Sequence, residues 1–414
     1  MMSSPQQKSS LAWVAIAVFI MALLFLSHIA RPFVYLSGDV DIYQSIGEDA
    51  WRADDLLKSE YPPVTTALFA LLKPPAMNMD FPEIWIAFLT VACLAATAWT
   101  AWTCNLRESC VVLFSALATM LLLGLDVTWG RYDLLIGILL LLTWLAHRRG
   151  RFAAAGFFLM MAAGLKLVPV VLLPLLYLAT PTPSRRMLTR GTIAGALIAL
   201  VLPLVVIGPV GTTENVLYMV LYHAERGVQL ESTWSGLTIL WEVVHGHKAT
   251  ILFAFRSHEN VEVPSILSLL GMVLGILGLI GIFWKRKKLQ GNLAPMMLCA
   301  FAWLLFLSPV LSPQYMSWLL PLLLTWCILE WRRAHRSGLV AAIFCTGCAA
   351  AILTNVIYLP LYLNLVDQQD LLPTLVLNLR NALILVLALL ILKTQNKTPT
   401  IQKQQTSSLP RGES

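Results

Sequence analysis

The run L-A-W-V-A-I-A-V-F-I-M-A-L-L-F-L-S-H-I-A, Leu11 to Ala30, decides the fold: twenty residues without an Asp, Glu, Lys or Arg. A helix rises about 1.5 Å per residue, so about twenty apolar residues cross the hydrocarbon core of a bilayer. Comparable runs recur along all 414 residues, and 58% of the chain is hydrophobic, with a mean hydropathy of +0.74. No soluble core hides so many. The chain therefore reads as an all-α, polytopic integral membrane protein. No small-residue cleavage site follows the first run, which reads as a retained anchor.

Working outward, about twelve transmembrane helices are expected, near residues 11–30, 83–104, 109–125, 132–147, 152–165, 168–180, 191–209, 266–284, 292–310, 315–331, 338–359 and 374–394. The stretch 63–75 is too short to cross and reads as a re-entrant half-helix. This gives one transmembrane domain over 11–394, with a first extracytoplasmic loop at 31–82 and a long one at 210–265. The polar tails 1–10 and 395–414 are expected to be cytoplasmic and disordered.

Charge tests that topology. With the N-terminus inside, the inner segments collect Lys8, Arg107, Arg148, Arg149, Arg151, Arg185, Arg186, Arg190, Lys285, Arg286, Lys287, Lys288, Arg332, Arg333, Arg336, Lys393, Lys397, Lys403 and Arg411. Of the 22 acidic residues, only Glu108, Glu330 and Glu413 join them. This is the positive-inside pattern. The net charge of +7 is thus an orientation signal, and nucleic acid is not an expected partner. The expected location is a cell (inner or plasma) membrane, with the lipid bilayer as partner, both termini cytoplasmic and any chemistry extracytoplasmic. The cysteines, 93, 104, 110, 299, 327, 345 and 348, fall in spans or at their inner edges, so no disulfide framework is implied. Phosphate-binding glycine loops and HExxH and GxSxG motifs do not occur; Cys345 and Cys348, three apart on one apolar helix, read as small packing residues.

The outer segments carry the chemistry. S-G-D-V-D-I-Y (Ser37–Tyr43), continuing to E-Y-P-P-V (Glu60–Val64), brings Asp39, Asp41, Glu48, Asp49, Asp54, Asp55 and Glu60 to a loop against lipid. A carboxylate there can act as a general base or supply plain loop polarity. The pattern from Gln44 to Leu57 predicts an amphipathic surface helix, and Tyr61-Pro62-Pro63 forces extended chain before the half-helix. In D-V-T-W-G-R-Y-D (Asp126–Asp133), Arg131 either clamps a phosphate or pairs with Asp126 or Asp133. Lys166 interrupts an apolar run. A lone cation at membrane depth costs at least about 2.5 kcal/mol, which makes it a functional candidate, against a snorkelling lysine at a bend. The loop 210–265 packs Glu225, Arg226, Gln229, Glu231 and Ser232 together, and prolines aim Gln314 and Tyr315 at the same side. His245 and His247, two apart without placed carboxylates, give no metal site.

Cations for a phosphate and a carboxylate for a hydroxyl proton, in one lipid-embedded site, point to sugar transfer from a lipid phosphate. These stretches also resemble a family. G-D-V-D-I-Y and E-Y-P-P-V-T-T-A-L-F-A-L-L look like the first outer loop of GT-C membrane glycosyltransferases. W-G-R-Y-D-L-L-I-G-I-L-L-L-L and G-R-F-A-A-A-G-F-F-L-M-M-A-A-G-L-K-L-V-P resemble bacterial glycosyltransferase family 87, the polyprenol-phosphate-mannose-dependent type. R-G-V-Q-L-E-S and S-P-Q-Y-M-S-W-L-L-P are similar to segments of its bacterial members, and the latter also to the GPI mannosyltransferase I subunit.

The resemblance implies a GT-C-like fold and an inverting hexosyltransferase, mannose-type, using a polyprenyl-phosphate sugar and serving the cell envelope. Its catalytic Asp, spaced D-x-x-x-Y, falls on Asp39, with Asp41 as rival. Its lysine before the proline-rich bend falls on Lys166, where the usual K-P is K-L-V-P. On this reading Arg131, Lys166 and Arg226 bind the donor phosphate. Tyr61, Asp133, Gln229, Glu231, Gln314 and Tyr315 hold sugar or the lipid or glycan acceptor. No tightly bound cofactor and no metal ligand is assigned, with a divalent cation left open. The alternatives are a transporter or flippase of a lipid-linked glycan, which usually shows repeated halves, and a structural membrane subunit, which leaves Lys166 unexplained.

Overall fold

The computed structural model describes residues 5–395 except 53–56, 77–78, 104–105, 255–257, 285–292 and 332–336. Several residues used above lie outside the described residues: Asp54, Asp55, Cys104, Lys285, Arg286, Lys287, Lys288, Arg332, Arg333, Arg336, Lys397, Lys403, Arg411 and Glu413.

The first helix, α1 (Pro5–Tyr35), runs through Pro32 and past the expected exit. Where the sequence reading puts a loop holding Asp39, the structure starts α2 (Gly38–Asp49), so the helix expected at Gln44–Leu57 begins six residues earlier. The reason is spacing. Val40, Tyr43, Ile46 and Gly47 recur on one face and are all buried. A Cβ on Gly47 would stand 2.6 Å from the Phe69 carbonyl oxygen, so glycine lets α2 settle on α3 (Pro63–Leu72). Ten residues long, α3 falls within the expected 63–75 and ends three residues short of it, and it is entered from an extended Pro62 with Pro63 in its first turn.

Two long helices follow, α4 (Phe81–Thr103) and α5 (Leu106–Leu123). A short α6 (Leu125–Trp129) leads through Gly130–Tyr132 into α7 (Asp133–Arg148) and then α8 (Phe152–Leu165). The expected span 168–180 is broken instead into a 3-10 turn, Val168–Leu172, and α9 (Leu173–Ala179). Pro169 and Pro174 each remove a backbone donor there. Next, α10 (Arg185–Val206) lies against α8 at close range. A Cβ on Gly191 would sit 1.8 Å from the Ala153 carbonyl oxygen, the small-residue packing typical of membrane helices.

The segment expected as a long loop, 210–265, is mostly ordered secondary structure. It holds α11 (Gly208–Glu225), β1 (Val228–Gln229), α12 (Thr233–Val244), β2 (Ile251–Ala254) and β3 (His258–Val261). The strands form an antiparallel sheet of order β1-β3-β2, with Val228 opposite Val261 and Gln229 opposite Asn260. Five helices close the chain: α13 (Ser265–Trp284), α14 (Leu293–Leu307), α15 (Met316–Trp331), α16 (Ser337–Tyr358) and α17 (Leu371–Gln395).

Six described helices are long and apolar enough to cross a membrane: Ala17–Tyr35, Phe81–Thr103, Thr182–Val206, Ser265–Trp284, Gly338–Tyr358 and Leu371–Thr394. The other expected spans form shorter or less apolar helices, which length and composition alone do not carry across. Of these, α7, α14 and α15 are buried on nearly every side, and α7 meets α15 where Gly137 faces the Ser317 carbonyl. Helices shielded by protein are not held to hydrocarbon thickness.

One end of the bundle gathers the last turns of α1, α14 and α16 and the first turns of α2, α7, α13 and α17. The opposite end is basic. There Glu108 pairs with Arg148 (3.1 Å) and with Arg149.

Candidate active site

The first end encloses a cavity of about 1320 Å³. Asp39 reaches it from the first turn of α2, and Tyr61 from the extended segment before α3. Arg131 and Tyr132 enter from the turn before α7, and Lys166 from the end of α8. Arg226 caps α11, Gln229 ends β1 and Glu231 follows it, and Gln314 and Tyr315 sit on the 3-10 turn before α15. All of these but Tyr132 were named from sequence as site residues, and the nine line one cavity together with Glu60. Asp41 is exposed and does not line the cavity; Asp133 is buried behind it.

Arg131 is held by three partners. One terminal nitrogen, Nη2, pairs with Asp39 at 2.8 Å and donates to the Tyr358 hydroxyl at 2.9 Å; the other donates to Gln314. The Ser312 hydroxyl also donates to Gln314 Oε1, at 2.6 Å. Of the two pairings open from sequence, neither Asp126 nor Asp133 is the partner. Burial raises the Asp126 carboxyl above its ordinary range.

Lys166 leaves the helix at an extended residue. Its ammonium lies 3.1 Å from Asp133 Oδ1, and the Trp318 indole donates to that same oxygen at 2.8 Å. Three rings surround the cation, with centroids at 4.5 Å (Tyr315), 5.2 Å (Trp318) and 5.4 Å (Tyr132). An ammonium between aromatic faces and one carboxylate is satisfied at depth by those partners. The snorkelling alternative is therefore not what the geometry shows, and Asp133 serves the lysine rather than the cavity.

Behind this wall, Tyr43 stacks on Phe69 (4.4 Å) and meets Tyr61, Trp85 and Tyr132 at 5.7, 5.1 and 5.8 Å. The Trp85 indole donates to the Trp129 carbonyl at 2.8 Å. This aromatic block fixes α2, α3, α4 and the Arg131 turn relative to one another.

The other side of the cavity is built by the sheet. Gln229 donates its backbone N–H to the Pro309 carbonyl (2.9 Å), and Leu230 donates to Glu259 (2.9 Å). Arg226 lies over the Tyr222 ring and donates to Gln229 Oε1 at 3.4 Å. Buried Glu231 meets Arg380 of α17 at 3.4 Å, and Arg380 also donates to the Glu231 backbone carbonyl at 3.0 Å. Burial pushes the Glu231 carboxyl up to about 7, against the pull of Arg380 and Arg131. Nearby, the Tyr362 hydroxyl donates to Glu259 at 2.7 Å.

Sequence reasoning missed Tyr132, Tyr222, Glu259, Trp318, Tyr358 and Tyr362 as cavity residues, and Arg380 behind them. Arg380 had a signal: it interrupts the apolar run 374–394 as Lys166 interrupts its own. The tyrosines had none beyond position at helix ends, where aromatic belts are common. His245 and His247 are exposed and do not line the cavity. Along α13 and α14 the cavity turns apolar, lined by Leu269, Met272, Ile276, Leu279 and Phe301.

The profile of glycosyltransferase family 87 matches residues 60–355. The matched segment includes every cavity residue named from sequence except Asp39. No curated protein matches the chain.

Proposed function

The chain belongs to glycosyltransferase family 87 and is a membrane glycosyltransferase; from that premise we propose that it moves a hexose, mannose in kind, from a polyprenyl-phosphate sugar to a lipid or glycan acceptor, with inversion, on the extracytoplasmic side. The observation that carries this reading is the convergence of Asp39 with Arg131 and Lys166 on one cavity that continues into an apolar groove. The basic end opposite the cavity supports the assignment of sides.

In the proposed reaction the acceptor hydroxyl attacks the anomeric carbon from the face opposite the phosphate. Asp39 takes the hydroxyl proton as the new C–O bond forms. The bond from the anomeric carbon to the phosphate oxygen breaks, and the electron pair leaves on the polyprenyl phosphate. That leaving group needs charge stabilisation rather than a proton. Arg131, Lys166 and Arg226 supply it. Gln229, Glu231, Gln314 and Tyr315 bind sugar hydroxyls, and the apolar wall of α13 takes the prenyl chain. A divalent cation remains an optional addition to this site.

The test is reconstitution of the purified protein in vesicles with polyprenyl-phosphate mannose, followed by mass spectrometry of lipid-linked glycans. Transfer to an added or co-purified acceptor supports the reading. Translocation of an intact lipid-linked glycan without any change in its mass overturns it in favour of a flippase.

A further inference from the structure

The described residues of the segment 208–263 carry apolar side chains outward, which a loop in water would not do. On α11, Val216, Leu217, Val220 and Leu221 are exposed, Leu217 at 59%, and no charged residue lies between Glu214 and Glu225. On α12, Leu237, Trp241 and Val244 recur at helical spacing on one face; Trp241 is 65% exposed and Val244 67%. Leu252 and Phe253 of β2 are exposed as well. Scattered exposed leucines mean little, but two successive helices with bare apolar faces mark a contact surface.

Depth identifies what covers it. The start of α12 is bound to the end of α14 and to the walls of the crossing helices α13 and α17. Trp234 donates to the Leu307 carbonyl at 2.9 Å and packs on Gly271. Asn378 donates to the Gly236 carbonyl at 2.8 Å. Gly271 is the seventh residue of α13 and Asn378 the eighth of α17, about 9–10 Å in from the helix ends at ~1.5 Å per residue. The outward face of α12 is therefore continuous with the exposed Leu375 and Leu379 of α17. At the far end of α12 the chain turns polar at His245, His247 and Lys248, all exposed, with Trp241 one turn before them.

We propose that α11 and α12 form an amphipathic collar immersed in the membrane leaflet next to the cavity, with lipid acyl chains as its partner. An apolar face buried ~5–10 Å into the headgroup–acyl boundary, with tryptophan at the rim, is the arrangement of an interfacial helix. The collar carries Arg226, Gln229 and Glu231, so that wall of the cavity sits within the membrane and not above it.

Photocrosslinking tests this in vesicles of phosphatidylethanolamine and phosphatidylglycerol. Benzoylphenylalanine replaces Leu217, Trp241 or Val244 in turn, with Leu200 of the crossing helix α10 as the lipid-facing reference and His247 as the aqueous one. Adducts to lipid at 217, 241 and 244 as abundant as at 200, with loss of the adduct at 247, support the collar. Adduct yields at the level of position 247 overturn it. Crosslinks to a second copy of the chain overturn it too, since the face would then be a subunit interface.

Discussion

Asp39 and Arg131 form a 2.8 Å ion pair across the cavity wall, from elements 92 positions apart in sequence. The carboxylate proposed as base and the guanidinium proposed as phosphate clamp are each other's partners. A donor phosphate entering here competes with Asp39 for Arg131, while Tyr358 and Gln314 keep the guanidinium in place.

The base is tested first. Asp39→Asn keeps the size and most hydrogen bonds but cannot take a proton, and a general base contributes ~100- to 10,000-fold. Transfer by this variant should fall by about that factor while donor binding survives. Asp41→Asn, altered on an exposed side chain outside the cavity, should transfer at near the parental rate. A dead Asp41→Asn beside an active Asp39→Asn moves the base two residues on.

Lys166 is tied to folding as well as to phosphate. Lys166→Ala leaves Asp133 buried without its cation, and breaking such a pair costs about 3–5 kcal/mol. Thermal unfolding in detergent should show a large loss for Lys166→Ala and a partial recovery for Lys166→Ala combined with Asp133→Asn. Donor binding should stay lost in both. Recovery of binding in the double variant would remove Lys166 from the phosphate site.

Glu231 sets a pH window. Its carboxyl is raised by burial from 4.5 to about 7, so the folded protein holds the proton more tightly than the unfolded chain. The stability this contributes is complete below pH 4.5 and is lost as pH rises through about 7. The shift corresponds to on the order of 3 kcal/mol. Melting temperatures of the parent should fall across that interval, and Glu231→Gln should flatten the fall. Parallel pH curves for the two proteins would exclude Glu231 as the source.

The α8–α10 contact predicts a steric penalty. Gly191→Ala places a methyl against the Ala153 carbonyl and should destabilise by about 1–3 kcal/mol. Gly338→Ala, with nothing within 4 Å of the added carbon, should melt with the parent. Equal melting of both would mean that α8 and α10 do not approach as described.

How much of this was legible follows from physical range. The short helix Pro63–Leu72 starts where expected and ends three residues early, and helix Phe152–Leu165 matches its expected bounds, because local apolar length and flanking prolines or charges decide them. Lys166 and Arg131 stood out because a cation at depth is costly wherever the chain places it. Their partners did not. Asp39 with Arg131 and Trp318 with Asp133 depend on packing between segments 92 and 185 positions apart, which no local pattern carries. The collar was read as loop because α11 and α12 are half polar, and a hydropathy window averages their two faces.

The cavity also carries little standing charge. Arg131, Lys166 and Arg226 on its wall, with Arg380 behind Glu231, face Asp39, Glu60, Glu231 and Glu259, with Asp133 behind Lys166: four cations against five carboxylates, of which Glu231 is raised to about 7 and so only partly charged at neutral pH. A balanced wall casts almost no field beyond a Debye length of ~8 Å at physiological salt, so it cannot steer soluble anions in from bulk water. A lipid-borne donor does not depend on such steering. It arrives by lateral diffusion in two dimensions, already at the right depth, and meets the cations only on contact. Free sugar phosphates and nucleotide sugars in the surrounding water gain no such concentration, and so the anchoring of the donor itself becomes part of selectivity.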